Sequence, residues 1–160
     1  MLSNYRLAHR LPLQDHEAFS GAILTEIRDY LDRSLGYKPN IVMINGGTNN
    51  ANRGDFVDLA YDQMNDILQA IWNYDEAMEK TCIILSTLLP TTNDLGKINR
   101  IPMNNDFRRL VDDYKGERCI YLADMEPTGE GSDYLSVDGP YWSDPTHPNV
   151  SIGWKSFVLG

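Results

Sequence analysis

Ile41-Val42-Met43-Ile44-Asn45-Gly46-Gly47-Thr48-Asn49-Asn50 is the stretch on which the fold turns. Its first four residues form a short, unbroken apolar run between Pro39 and Gly46-Gly47. Such a run reads as a buried strand, because a strand covered on both faces shows no alternation. On its N-terminal side, Ile23, Ile27, Tyr30 and Leu31 recur at helical spacing, so the spacing predicts a helix from Gly21 to about Leu35, with Gly36 as its C-terminal cap. On its C-terminal side, Ala60, Met64, Ile67, Leu68 and Ile71 predict a second helix from about Phe56 to Ala77. Cys82-Ile83-Ile84-Leu85 opens a second strand that stops near Pro90. Met103, Phe107, Leu110 and Tyr114 give a third helix, Cys119-Ile120-Tyr121-Leu122 a third strand, and Val150 to Leu159 the start of a final helix. Buried strands alternating with helices imply an α/β fold with a parallel sheet. Right-handed crossovers then place helices on both faces. Ligands of such sheets bind beyond the C-terminal ends of the strands, so residues with chemistry belong just after each strand.

The chain has 160 residues, of which 42% are hydrophobic, enough for one domain, 1–160, around one core. No stretch reaches the roughly 20 apolar residues that span a bilayer. Residues 1–13 mix Asn, Arg, His and Pro with apolar residues, so no secretory leader is visible. The net charge is −9, which repels phosphate backbones and argues against nucleic acid as a partner. It suits a neutral or cationic small molecule, or a polysaccharide, and it also suits solubility alone. His9, His16 and His147 are scattered, and no Cys/His cluster has metal-ligand spacing. No phosphate-binding loop motif is present, so neither metal nor cofactor is expected. Cys82 and Cys119 read as two buried free thiols, although neighbouring parallel strands would bring them close.

Three segments carry candidate chemistry. Asn45-Gly46-Gly47-Thr48-Asn49-Asn50 follows the first strand and offers amide donors; the same composition also suits a plain turn. Ser143-Asp144-Pro145-Thr146-His147-Pro148-Asn149 sets a carboxylate three residues before a histidine. If the loop turns back, Asp144 holds one ring nitrogen of His147 and leaves the other as a general base. Otherwise the segment is a solvated turn leading to a helix cap at Asn149. Asp15-His16-Glu17-Ala18-Phe19-Ser20-Gly21 precedes the first helix. Its glycine exposes backbone N–H groups suited to a developing oxyanion, or simply begins a helix.

Together these segments resemble the SGNH hydrolases, also called GDSL esterases and lipases. Ser20-Gly21 looks like the family's second block. Gly47-Thr48-Asn49-Asn50 looks like its Gly-x-Asn-Asp block, and Asp144-Pro145-Thr146-His147-Pro148-Asn149 like its Asp-x-x-His block. The stretch from His16 to Gly21 is closest to secreted members that remove acetyl groups from plant polysaccharides. The resemblance implies a three-layer α/β/α, flavodoxin-like fold and a Ser-His-Asp ester hydrolase that needs no cofactor. It implies Gly21 (backbone) and Asn49 (side chain) as oxyanion-hole donors, His147 as general base and Asp144 as its orienting partner. The substrate would be a short-chain ester, including an acetyl group on a sugar.

Two positions depart from the pattern. Asn50 stands where the family usually has Asp, a residue expected to shape the loop. No Gly-Asp-Ser block is found, so the nucleophile is unassigned: Ser3 and Ser20 are the only serines before Gly21, and Ser20 adjoins the oxyanion glycine. The expectation is a domain lacking the family's first strand, from a secreted parent, and inactive as it stands. The alternative is a pseudoenzyme that binds carbohydrate or an acyl ligand without cleaving it. A nucleotide or flavin domain has little support without the first βα phosphate loop. Loops Thr91–Arg100 and Glu126–Tyr141 would choose the substrate, with Tyr134, Tyr141 and Trp142 as aromatic candidates.

Overall fold

The computed structural model describes residues 18–126, 143–144 and 146–147. Helix α1 (Leu24–Tyr30) and the single turn α2 (Asp32–Leu35) lead into strand β1 (Ile41–Ile44). Helix α3 (Thr48–Arg53), helix α4 (Ala60–Trp72), strand β2 (Cys82–Ser86), helix α5 (Asp94–Tyr114) and strand β3 (Ile120–Ala123) follow. The three strands are parallel in the order β1-β2-β3, with Ile41 opposite Cys82 and Ile83 opposite Ile120. The parallel α/β fold read from the sequence is the observed one.

One face of the sheet carries Val42, Ile44, Ile83, Leu85, Ile120 and Leu122 into the core. Helix α4 meets it with Met64, Ile67, Leu68, Ile71 and Trp72, all buried, which is the stripe its spacing dictates. Helix α5 adds Met103, Phe107 and Leu110. Trp72 is anchored as well as packed: its indole N–H donates to Thr81 O at 3.0 Å and its ring meets Tyr114 edge-on. On the other face Ile41, Met43 and Tyr121 are exposed. The described residues thus supply one helical layer, and the helix expected over Val150–Leu159 lies outside them. Among the described residues, no helix is long and apolar enough to cross a membrane.

Element boundaries differ from expectation where short polar side chains or proline intervene. The first helix divides at Leu31, whose N–H donates to Arg28 O. The second is shorter than Phe56–Ala77: residues Val57–Leu59 form a 3₁₀ turn before it, and it ends at Trp72. Beyond it, the Asp75 carboxylate accepts from Ala77 N–H and draws the chain into a turn. Helix α5 begins nine residues before Met103, at Asp94, and continues through Pro102. Asn93 caps it, accepting from Gly96 N–H at 2.8 Å. The segment Thr91–Arg100 is therefore mostly helix, which corrects its assignment as a substrate loop.

The free-thiol expectation is also corrected. Cys82 and Cys119 form a disulfide that joins the start of β2 to the residue before β3. The register explains it: Ile83 lies opposite Ile120, so the preceding residues of both strands are adjacent.

Candidate active site

The Asn45–Asn50 group hangs from the C-terminal end of β1. The chain leaves β1 through Asn45, whose amide donates to Ser86 Oγ at the end of β2. It then enters α3, six residues reading Thr-Asn-Asn-Ala-Asn-Arg. The composition of Asn45–Asn50 also suited a plain turn, but the chain is helical from Thr48, although Asn is a poor helix former. Tertiary bonds hold it instead: Asn99 Nδ2 on α5 donates to Ala51 O at 2.9 Å.

Asn49 Nδ2 donates to Ala22 O at 2.8 Å. That bond ties α3 to the turn around Gly21, which Ala22 N–H closes on Phe19 O. Gly21 has φ +81°, a left-handed conformation that favours glycine. A side chain there would also sit 3.3 Å from Arg53 Nη2, so the guanidinium lies beside the turn. Sequence reasoning missed Arg53, and nothing in the motif points to it. A groove of about 350 Å³ runs along the turn, bordered by Phe19, Gly21, Glu26 and Tyr30. Another of the same volume lies beside Lys115 and Cys119, away from these groups.

Asn50 is fully buried and acts as a brace. Its Oδ1 accepts from Leu24 N–H at 3.0 Å, and its Nδ2 donates to Asp55 O at 3.0 Å. These contacts account for a structural role at the position where Asp is usual.

Asp144 and His147 meet as the spacing implied. The ring Nδ1 lies 3.0 and 2.9 Å from the two carboxylate oxygens. Asp144 Oδ1 also accepts from the backbone N–H groups of Thr146 and His147, each at 2.8 Å. These bonds, Thr146 N–H first and the His147 ring next, hold the Asp144 carboxyl below the usual carboxylate range. Ser143 N–H closes the turn on His147 O at 2.9 Å. The imidazole is 73% exposed, so Nε2 is open to a ligand. The structure therefore joins Asp144 to His147, and Gly21 to Asn49 through Ala22. Tyr134, Tyr141 and Trp142 lie outside the described residues, as does Ser3. Ser20 is exposed in the Gly21 turn. Among the described residues, no His/Cys/Asp/Glu group could hold a metal ion.

The loops after β2 and β3 are fixed by groups that the sequence reading did not single out. Asn104, buried in α5, grips Leu88 through both its N–H and its C=O. Arg108 makes a two-pronged pair with Asp124 at 2.9 and 3.0 Å and also reaches Glu126 at 2.6 Å. Arg100 holds the second oxygen of Glu126 at 2.7 Å. Asp124 is lowered chiefly by Arg108. Burial opposes ionisation of Glu126, but Arg108 and Arg100 outweigh it, so its pKa is lowered too. Depressed carboxyl pKa values stabilise the fold above the unfolded-chain values of about 4, and that contribution is lost as pH falls through the folded values. The thermal midpoint is thus expected to fall steeply below about pH 4. Arg108→Met should flatten that slope; an unchanged slope in a scan from pH 6 to 2 would show that the network does not contribute.

The GDSL-like Lipase/Acylhydrolase family profile matches residues 2–151. A crystal structure of an acetyl esterase mutant with acetate ion is similar at 23% identity and TM-score 0.62, over 91% of this chain and 71% of that one. So is a carbohydrate esterase family 3 structure from Talaromyces cellulolyticus, at 23% identity, TM-score 0.63 and the same coverages. No curated protein matches. The family match spans nearly the whole chain and takes in the Gly21, Asn49 and Asp144–His147 segments, so the chain belongs to the GDSL-like lipase/acylhydrolase family of ester hydrolases.

Proposed function

We propose that this chain supplies the base and the oxyanion donors of a serine ester hydrolase acting on short-chain esters, with acetyl groups on carbohydrate as the substrate class. The observation that carries the reading is the Asp144–His147 pair, with Nδ1 held at 2.9 Å and the ring edge open. Asp144 stays ionised at neutral pH and keeps the proton on Nδ1. Nε2 then takes the proton of an attacking hydroxyl and returns it to the leaving alcohol. Gly21 N–H and the second amide hydrogen of Asn49 serve the oxyanion. The acetyl and carbohydrate parts of the proposal rest on the two esterase structures it resembles.

The nucleophile is unassigned: no Gly-Asp-Ser block is found, Ser20 adjoins Gly21, and Ser3 lies outside the described residues. Among the described residues β1 lies at one edge of the three-stranded sheet. The 160-residue chain alone is accordingly read as inactive. The disulfide supports an oxidising, secreted setting for the parent protein.

The test is hydrolysis of an activated acetyl ester by the purified chain beside its His147→Ala variant. Background rates are expected in both. Joining a strand that ends in Gly-Asp-Ser ahead of residue 1 should produce turnover, and His147→Ala should abolish it. Turnover by the unaltered chain that vanishes in His147→Ala would overturn the inactive reading. No turnover from the joined chain would instead favour ligand binding without cleavage.

A further inference from the structure

We infer that Asn52 is a positioning residue: its carboxamide pins the turn carrying His147 to α3, the helix that also holds the Gly21 turn. The inference rests on the hydrolase reading only for its purpose; the contact itself is structural. Asn52 Nδ2 donates to Thr146 Oγ1 at 3.3 Å, across 94 residues of sequence. Thr146 lies immediately before His147, and its own N–H binds Asp144. Within the turn, Ser143, Asp144, Thr146 and His147 are also bonded to one another. The Asn52–Thr146 bond links that turn to the helical layer.

The carboxamide has little freedom. Its Oδ1 is buried without a partner among the described residues. Gly96 of α5 packs against it so closely that a Cβ there would collide with Oδ1 and approach Thr91 Cγ2 to 2.7 Å. A buried, unpaired amide oxygen costs about 1–3 kcal/mol, so the local packing does not by itself favour Asn at this place. The bond to Thr146 is the interaction that a polar group gains there.

Helix α3 then sets the geometry of the whole site. Asn49 holds Ala22 beside Gly21, Asn50 holds the start of α1, and Asn52 holds Thr146. Three neighbouring side chains on one short helix fix the oxyanion donors and the base relative to each other. Orientation of this kind matters because a misplacement of about 1 Å costs on the order of 10²-fold in rate.

The experiment is ¹⁵N relaxation on the labelled 160-residue chain. The amide order parameters of Thr146 and His147 should be near the rigid-backbone value of about 0.85 in the unaltered chain, and should drop below about 0.6 in Asn52→Ala. Thr146→Val replaces the hydroxyl by a methyl group of similar size and should give the same drop, which covers the case in which Asn52→Ala disturbs the α3–α5 contact. Thr146→Ser restores the hydroxyl and should restore rigidity. The thermal midpoint of the two Thr146 variants should match that of the unaltered chain. Rigid amides in both Asn52→Ala and Thr146→Val, or a turn already mobile in the unaltered chain, would overturn the inference. Neither result depends on ester turnover, so a failure here is separate from a failure of the hydrolase reading.

Discussion

Replacing both cysteines of the disulfide, Cys82→Ser with Cys119→Ser, is expected to lower the unfolding free energy by about 3–4 kcal/mol. The bridge spans a sequence separation of 37 residues. A loop of that length removes chain entropy from the unfolded state equivalent to about 4 kcal/mol, and native bridges typically contribute 2–4. Urea unfolding of the oxidised and the doubly substituted chain measures the difference; the midpoint should fall and the slope should rise, because the unfolded chain without the bridge exposes more surface. Coincident midpoints would mean that β2 and β3 are held by their pairing alone. The bridge lies at the start of β2, while Asn45, Thr87 and α3 lie beyond the opposite ends of the strands. The native-state signals of His147 should therefore be the same with and without it. A change at His147 in the folded, reduced protein would mean that the sheet transmits strain from one end to the other.

The sequence was most legible where burial sets the pattern. Ile41–Ile44 was read as a strand with its observed bounds, although among the described residues Ile41 and Met43 are exposed and only the Val42–Ile44 face is covered; the stripe from Ala60 to Ile71 matches the buried face of α4. Apolar spacing reports directly on packing, and packing fixes these elements. Helix α3 was illegible for the converse reason. Its residues Thr48 to Arg53 have no apolar stripe and poor helix propensity, and the bonds that hold it come from residues as distant as Asn99. Helix α5 was read only from its apolar stripe, Met103 to Tyr114, and its first turns, with Gly96 and Pro102, lie ahead of that stripe. Gly96 is where Asn52 packs close, and Pro102 is tolerated within a helix anchored by the Asn93 cap and the Leu88–Asn104 clasp. The Asp144–His147 pair was legible because its contact is local, three residues apart. The contacts of Asn49, Asn50 and Asn52 join segments 26 to 94 residues apart, and no spacing rule within one sequence marks those partners.

Asn50→Ala is expected to cost about 2–4 kcal/mol, more than a typical single substitution. The residue is fully buried, and its side chain serves two backbone groups on different segments. Truncation strands the buried Leu24 N–H, for which an unpaired donor costs about 1–3 kcal/mol. It also removes the donor to Asp55 O, in the loop that leads from α3 to α4. Asn50→Asp separates the two contributions. A carboxylate still accepts from Leu24 N–H, but it cannot donate to Asp55 O and sets a negative charge against that carbonyl. Its cost should therefore be smaller than that of Ala and should grow as the pH is raised from 4 to 8, where the buried carboxyl ionises. Urea unfolding across that range measures both variants, and hydrogen exchange at the Leu24 amide locates the effect. In Asn50→Ala that amide should exchange faster at constant global stability-corrected rate, because α1 begins there. If Asn50→Ala unfolds within about 0.5 kcal/mol of the unaltered chain, a value typical of surface changes, the brace is not real. The Gly21 turn would then depend on Asn49 alone, and with it the position of the proposed oxyanion donors.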